Sequence, residues 1–151
     1  GIVSFVIILM LISLLIKIIT VIQREKIKFS LIFKILTFIS IITVIQSLIK
    51  GGITLTGDWA RVLSRVNDID GLKLALSAPV SLAALFSPES LGSTGYFMMD
   101  TLTSIFNWIY YIFLYAGLKA AAGLTKKRAL IATIVTALAF ILVGLISNLL
   151  T

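Results

Sequence analysis

The chain has 151 residues, of which 60% are hydrophobic and only 13% charged, against roughly 45–50% and about 25% in an ordinary soluble domain. Soluble enzyme folds, disordered tails and fibrous repeats are excluded, and the composition is that of a membrane protein with room for at most about five or six spans of ~20 residues. Thirteen Lys and Arg face six Asp and Glu, for a net charge of +7, and neither Cys nor His occurs, which removes disulfides, thiol nucleophiles and histidine-based triads or zinc sites.

In a membrane chain the basic excess fixes orientation at the cytoplasmic face and attracts anionic headgroups. No basic stripe with interleaved aromatics accompanies it, so nucleic acid is not expected as a partner. Gly1 opens the chain inside an apolar stretch with no basic n-region and no small-residue cleavage site. That start does not read as a signal peptide, and the natural N-terminus is expected to lie upstream.

The first predicted span covers residues 2–22, interrupted only by Ser4, Ser13, Thr20 and Lys17. A basic loop, residues 23–30, carries Arg24, Lys26 and Lys28 against Glu25 and leads into a second span over residues 31–49. So short a connection makes the two helices antiparallel neighbours. Lys17 and Lys34 lie close enough to this loop for their stems to snorkel to the interface.

From Lys50 the composition changes, with Gly51, Gly52 and Gly57 breaking helical continuity. Trp59, Val62, Leu63 and Val66 recur at i, i+3, i+4 and i+7, predicting a short amphipathic helix over about residues 58–67 that lies in the interface or packs on the span ends. Residues 72–86 are apolar but short of spanning length, and Pro79 interrupts them. If they crossed, the basic loops 23–30 and 125–128 would face opposite sides. The positive-inside rule therefore predicts a re-entrant or interfacial segment, an external region over residues 50–100, two cytoplasmic basic loops and an external C-terminus.

A third span is predicted over residues 101–124 and a fourth over 129–150. Phe106, Trp108, Tyr110, Tyr111, Phe113 and Tyr115 place an aromatic belt toward the external end of the third. Gly117 and Ala121 on the third span, with Ala129, Ala132, Thr133, Thr136 and Ala137 on the fourth, form small-residue surfaces that let helices approach closely in lipid. The expected fold is thus all-α, a single polytopic transmembrane helical bundle of four spans plus one non-spanning segment. Asn107, Trp108, Tyr111, Gly117, Ala121, Thr133 and Ala137 are the candidate residues for helix packing or a partner interface.

The spans contain no acid, which argues against intramembrane proteases and proton relays. Asp58, Asp68 and Asp70 have the oxygen chemistry for a hard cation, but three solvated loop acids explain them more simply. No metal, cofactor or phosphate-binding glycine loop is expected. Asn107 is read as a hydrogen-bonding contact between helices or to a polar substrate.

The run Leu102-Thr103-Ser104-Ile105-Phe106-Asn107-Trp108 through Gly117-Leu118-Lys119, followed by a small-residue stretch and the basic turn Thr125-Lys126-Lys127-Arg128, resembles the C-terminal part of prokaryotic members of the Yip domain family. The features that match are Phe106, Trp108, Gly117, Leu118 and the basic turn. The resemblance implies a five-span protein of prokaryotic membranes with a cytosolic N-terminus and an external C-terminus, which agrees with the charge-derived topology if one span lies upstream. Eukaryotic relatives bind prenylated GTPases, but their acidic, tyrosine-containing cytosolic motif is not visible in this sequence, so GTPase binding is not carried over. Some bacterial relatives look like accessory partners of ABC-type export systems. The expectation is a non-enzymatic scaffold or accessory subunit that contacts membrane lipid and either another membrane protein, such as an ABC-type transporter, or a second copy of itself. The alternative is a transporter or channel subunit lining a substrate path, for which Pro79 and Asn107 are the features.

Overall fold

The computed structural model describes residues 2–56, 81–86 and 88–150. Among them every regular element is helical: α1 (Ile2–Ile22), α2 (Phe29–Thr56), a 3-10 turn (Leu82–Leu85), α3 (Pro88–Thr103), α4 (Ile105–Ala120) and α5 (Lys126–Leu150). Three stretches, Phe5–Ile22, Phe29–Ile49 and Lys126–Ile146, are long and apolar enough to cross a bilayer. That is the architecture of an integral membrane protein. The amphipathic segment 58–67, the acids Asp58, Asp68 and Asp70, and residues 72–80 with Pro79 lie outside the described residues. The part of the apolar segment that is described ends in the 3-10 turn.

Two boundaries differ from expectation for identifiable reasons. α2 runs straight through Gly51 and Gly52 to Thr56, although the glycines predict its end. A glycine costs a helix only about 1 kcal/mol, too little to end a helix that is already nucleated and propagating. Residues 88–100, which read as loop in the sequence, instead form most of α3. Pro88 occupies its first position, where the missing N–H costs nothing, and Gly92 (φ 66°, ψ 165°) kinks the helix one turn later.

The predicted continuous span 101–124 is also divided. Ser104 interrupts it, leaving α4 with 16 residues, about 24 Å of helix against a hydrocarbon core of about 30 Å. The basic turn is shifted as well, since Lys126, Lys127 and Arg128 form the first turn of α5. Thr125 caps that turn, its carbonyl accepting from the Ala129 N–H at 2.9 Å and its hydroxyl from the Arg128 N–H at 3.5 Å. Three cations at a helix N-terminus oppose the helix dipole, so they do not stabilise the start of α5.

The chain divides into two compact units. The first comprises residues 1–42 and 109–140. Its core is built from Leu9, Ile12, Ile16 and Ile19 of α1, spaced at i, i+3, i+7 and i+10, with Ile32, Ile35, Leu36 and Ile39 of α2, Leu114 and Leu118 of α4, and Ala129 and Ala132 of α5. Polar groups buried among them are satisfied within their own helices: Ser13 donates to the Leu9 carbonyl at 2.7 Å, Thr133 to Ala129 at 2.9 Å and Thr136 to Ala132 at 2.8 Å. Tyr110 meets Phe140 edge-on with ring centroids 6.4 Å apart.

The second unit comprises residues 43–108 and 141–151. Its described core is smaller, with Ala83 and Tyr96 buried against Leu91 and Met99. A hydrogen bond from the Leu82 N–H to the Thr103 hydroxyl (2.9 Å) ties the 3-10 turn to the end of α3.

Candidate functional site

The most distinctive surface in the first unit is where α1 ends. The Glu25 N–H closes on the Thr20 carbonyl at 2.8 Å and the Arg24 N–H on the Val21 carbonyl at 2.9 Å. This is the paired hydrogen bonding of a Schellman cap, whose pivot residue takes the left-handed conformation and is usually glycine. Here it is Arg24, at φ 61°, a backbone cost of roughly 1–2 kcal/mol for a residue with a Cβ.

The loop that follows is fastened to the rest of the unit at three points. Lys17 snorkels up its own helix and donates its ammonium to the Ile27 carbonyl. Glu25 forms an ion pair with Arg128 at the start of α5. Gln23 donates its side-chain amide to the Arg128 carbonyl at 3.4 Å, while its Oε1 is buried without a hydrogen-bond partner among the described residues. The two basic loops, a hundred residues apart in sequence, are therefore joined. At the end of α1, Lys17, Val21, Arg24, Glu25, Lys26, Ile27 and Lys28 line an open cleft of about 460 Å³.

The residues singled out from the sequence are divided between the two units. Gly117 is pressed against α2: a Cβ there would stand 2.7 Å from Cγ2 of Ile35, so this small surface is used inside the unit. Thr133 is buried and Ala137 half-buried on α5, Tyr111 is half-buried beside Tyr110, and Ala121 lies exposed in the turn after α4. Asn107 and Trp108 belong to the second unit and act together there. Asn107 Nδ2 donates to the Thr101 carbonyl at 2.9 Å and Trp108 Nε1 to the Leu102 carbonyl at 2.8 Å. Both side chains satisfy carbonyls left at the end of α3 by the break at Ser104. Asn107 thus serves its own backbone, and the indole remains largely exposed.

A polar group that the sequence does not single out lies along α3 and at the break that follows it. Tyr96 and Ser104 are each 1% exposed, and with Asp100 they follow i, i+4, i+8 spacing along one helix face. Asp100 Oδ1 and Ser104 Oγ are buried with no hydrogen-bond partner among the described residues. The spacing is visible in the sequence, but Pro88, Gly92 and Gly95 mark the stretch as loop. No group of His, Cys, Asp and Glu that could hold a metal ion occurs among the described residues.

No protein-family model, curated protein or solved structure matches this chain. None of these comparisons identifies a Yip domain.

Proposed function

We propose that this chain is a non-enzymatic integral membrane scaffold or accessory subunit, of the Yip type, that binds another membrane protein. The observation that carries the reading is the joining of the two basic loops through Glu25 and Arg128, which gives the first unit one concentrated basic face between apolar helices. By the positive-inside rule such a face is cytoplasmic, in a prokaryotic cell membrane. In this reading the chain crosses four times: α1, α2 and α5 as single helices, and the broken α3–α4 segment as the fourth crossing. Residues 72–86 remain re-entrant or interfacial, and the C-terminus is external.

The topology is tested by placing single cysteines in this cysteine-free chain at Ser93 and at Thr125 and labelling intact membranes with an impermeant maleimide. The two positions are expected to label from opposite sides. Labelling from one side overturns the crossing by the α3–α4 segment, and the non-spanning reading of residues 72–86 is tested by a third cysteine at Ser30, which is expected to label from the same side as Thr125.

The partner is tested by mild-detergent co-purification of the full chain from its own membranes. A stoichiometric membrane protein, such as an ABC-type transporter, is expected to accompany it. Because Gly117 is occupied by Ile35, the informative variant is Ala121→Leu at an exposed position. A full complement of partner in that variant would remove the surface around Ala121 from consideration.

A second reading, a transporter or channel subunit lining a substrate path, is favoured by one observation. A buried carboxylate oxygen and a buried hydroxyl lie unpartnered, among the described residues, beside a helix break, the kind of feature that marks solute sites in broken transmembrane helices. Recovery of a homo-oligomer with no partner protein would select it.

A further inference from the structure

We infer that the cleft at the end of α1 is a binding site for the phosphate of an anionic phospholipid headgroup. The inference does not depend on the accessory-subunit reading. It begins with charge: four basic side chains, Lys17, Arg24, Lys26 and Lys28, and one acid, Glu25, line the cleft. The acid is already engaged by Arg128 and the Lys17 ammonium by the Ile27 carbonyl. Arg24, Lys26 and Lys28 have no acidic partner among the described residues and are exposed. They present a guanidinium and two ammoniums to a single anion, and a guanidinium fork matches phosphate oxygens in geometry as well as charge.

The second line of support is conformational. Arg24 occupies the one position in the loop where the backbone favours glycine. A strained non-glycine residue in a polar loop is the kind of outlier that accompanies a ligand contact.

Position selects a lipid over a soluble phosphate. The cleft is formed by the end of the candidate span Phe5–Ile22 and the loop that joins it to the candidate span Phe29–Ile49, hence at the depth of the headgroups. Its apolar wall is Val21, 56% exposed, and the exposed side chains of Leu14, Ile18 and Val21 follow one another at i, i+4 and i+7 along α1. An acyl chain lying on that ridge brings its own phosphate to Arg24, Lys26 and Lys28. One basic cluster above one apolar ridge is the pattern that a single diacyl phosphate fills.

The test is native mass spectrometry of the detergent-purified full chain, titrated separately with phosphatidylglycerol, phosphatidylcholine and glycerol 3-phosphate. One saturable phosphatidylglycerol is expected, at least about tenfold tighter than phosphatidylcholine, with no retention of glycerol 3-phosphate. Arg24→Gly combined with Lys28→Gln is expected to weaken that binding about thirtyfold. Arg24→Gly suits the left-handed backbone, so the cap survives. Lys126→Gln with Lys127→Gln removes the same charge outside the cleft and is expected to cost less than about threefold. Equal losses in the two double variants, or no preference for phosphatidylglycerol, overturn the site. Saturable glycerol 3-phosphate binding lost in the Arg24 and Lys28 variant overturns the lipid assignment in favour of a soluble phosphate.

Discussion

Gly117→Leu is expected to destabilise the first unit by about 3 kcal/mol, at the upper end of the usual cost of overpacking a tight contact, read as a large fall in Tm in detergent. The cause is geometric. Even a Cβ at this position would stand 2.7 Å from Cγ2 of Ile35 and 3.8 Å from its Cβ, and leucine adds three more carbons in the same direction. Ile35 has little freedom to yield, because it is buried in the core of α2 and a β-branched side chain on a helix is confined to essentially one χ1 rotamer. The remaining response is for the helices to separate, which strips contacts from the core that also holds Ile16, Leu36 and Leu114.

The pair can be isolated by a double-mutant cycle. Ile35→Ala alone is expected to cost about 2–5 kcal/mol through the cavity it leaves. Combined with Gly117→Leu, it is expected to cost less than the sum of the two by more than about 1 kcal/mol, because the new side chain fills the space the old one vacates. Strict additivity would mean that the two positions do not touch. The same contact changes how a pull-down is interpreted, since loss of a partner from Gly117→Leu would report a damaged fold, whereas Ala121 reports a surface.

What the sequence makes visible follows from what hydropathy measures. α1, α2 and the body of α5 hold stretches near 20 residues with few charges and high hydropathy, the pattern of a membrane-crossing helix. The division of the expected third span at Ser104 stays hidden because mean hydropathy does not register capping. Yet Asn107 and Trp108, close behind Ser104, supply the donors that satisfy the carbonyls of Thr101 and Leu102. Gly51 predicts a stop in α2 because propensities come from water, where a glycine backbone can solvate instead. At the basic cleft the individual charges can be read directly. The left-handed turn at Arg24 cannot, because arginine carries none of the preference for that conformation that glycine or asparagine would signal. The meeting of the loops at residues 23–28 and 125–128 is legible only as a shared side of the membrane, since Glu25 as the linking acid is one ordinary charge among four in its loop.

Gly144→Leu is the second substitution expected to act strongly, by about 2–3 kcal/mol on the second unit, and it is informative through its contrast with Gly117. A Cβ at Gly144 would fall 2.1 Å from Cζ of Phe97 and about 3 Å from both Cε atoms, so the ring of α3 points its tip directly at the α5 backbone. The approach is nominally tighter than at Gly117. The obstacle, however, is the far end of a half-buried side chain with two rotatable bonds, not a branch rooted at a helix backbone. Alanine at 144 is therefore expected to turn the ring aside for about 1 kcal/mol, less than alanine at 117 costs, while leucine exceeds what rotation can relieve. Phe97→Ala in the Gly144→Leu background is expected to recover most of the lost Tm by opening the volume the leucine needs. If alanine at 144 proves costlier than alanine at 117, distance alone governs these contacts. If alanine at 117 is the costlier, it is the stiffness of the opposing side chain that decides where a glycine is indispensable between helices.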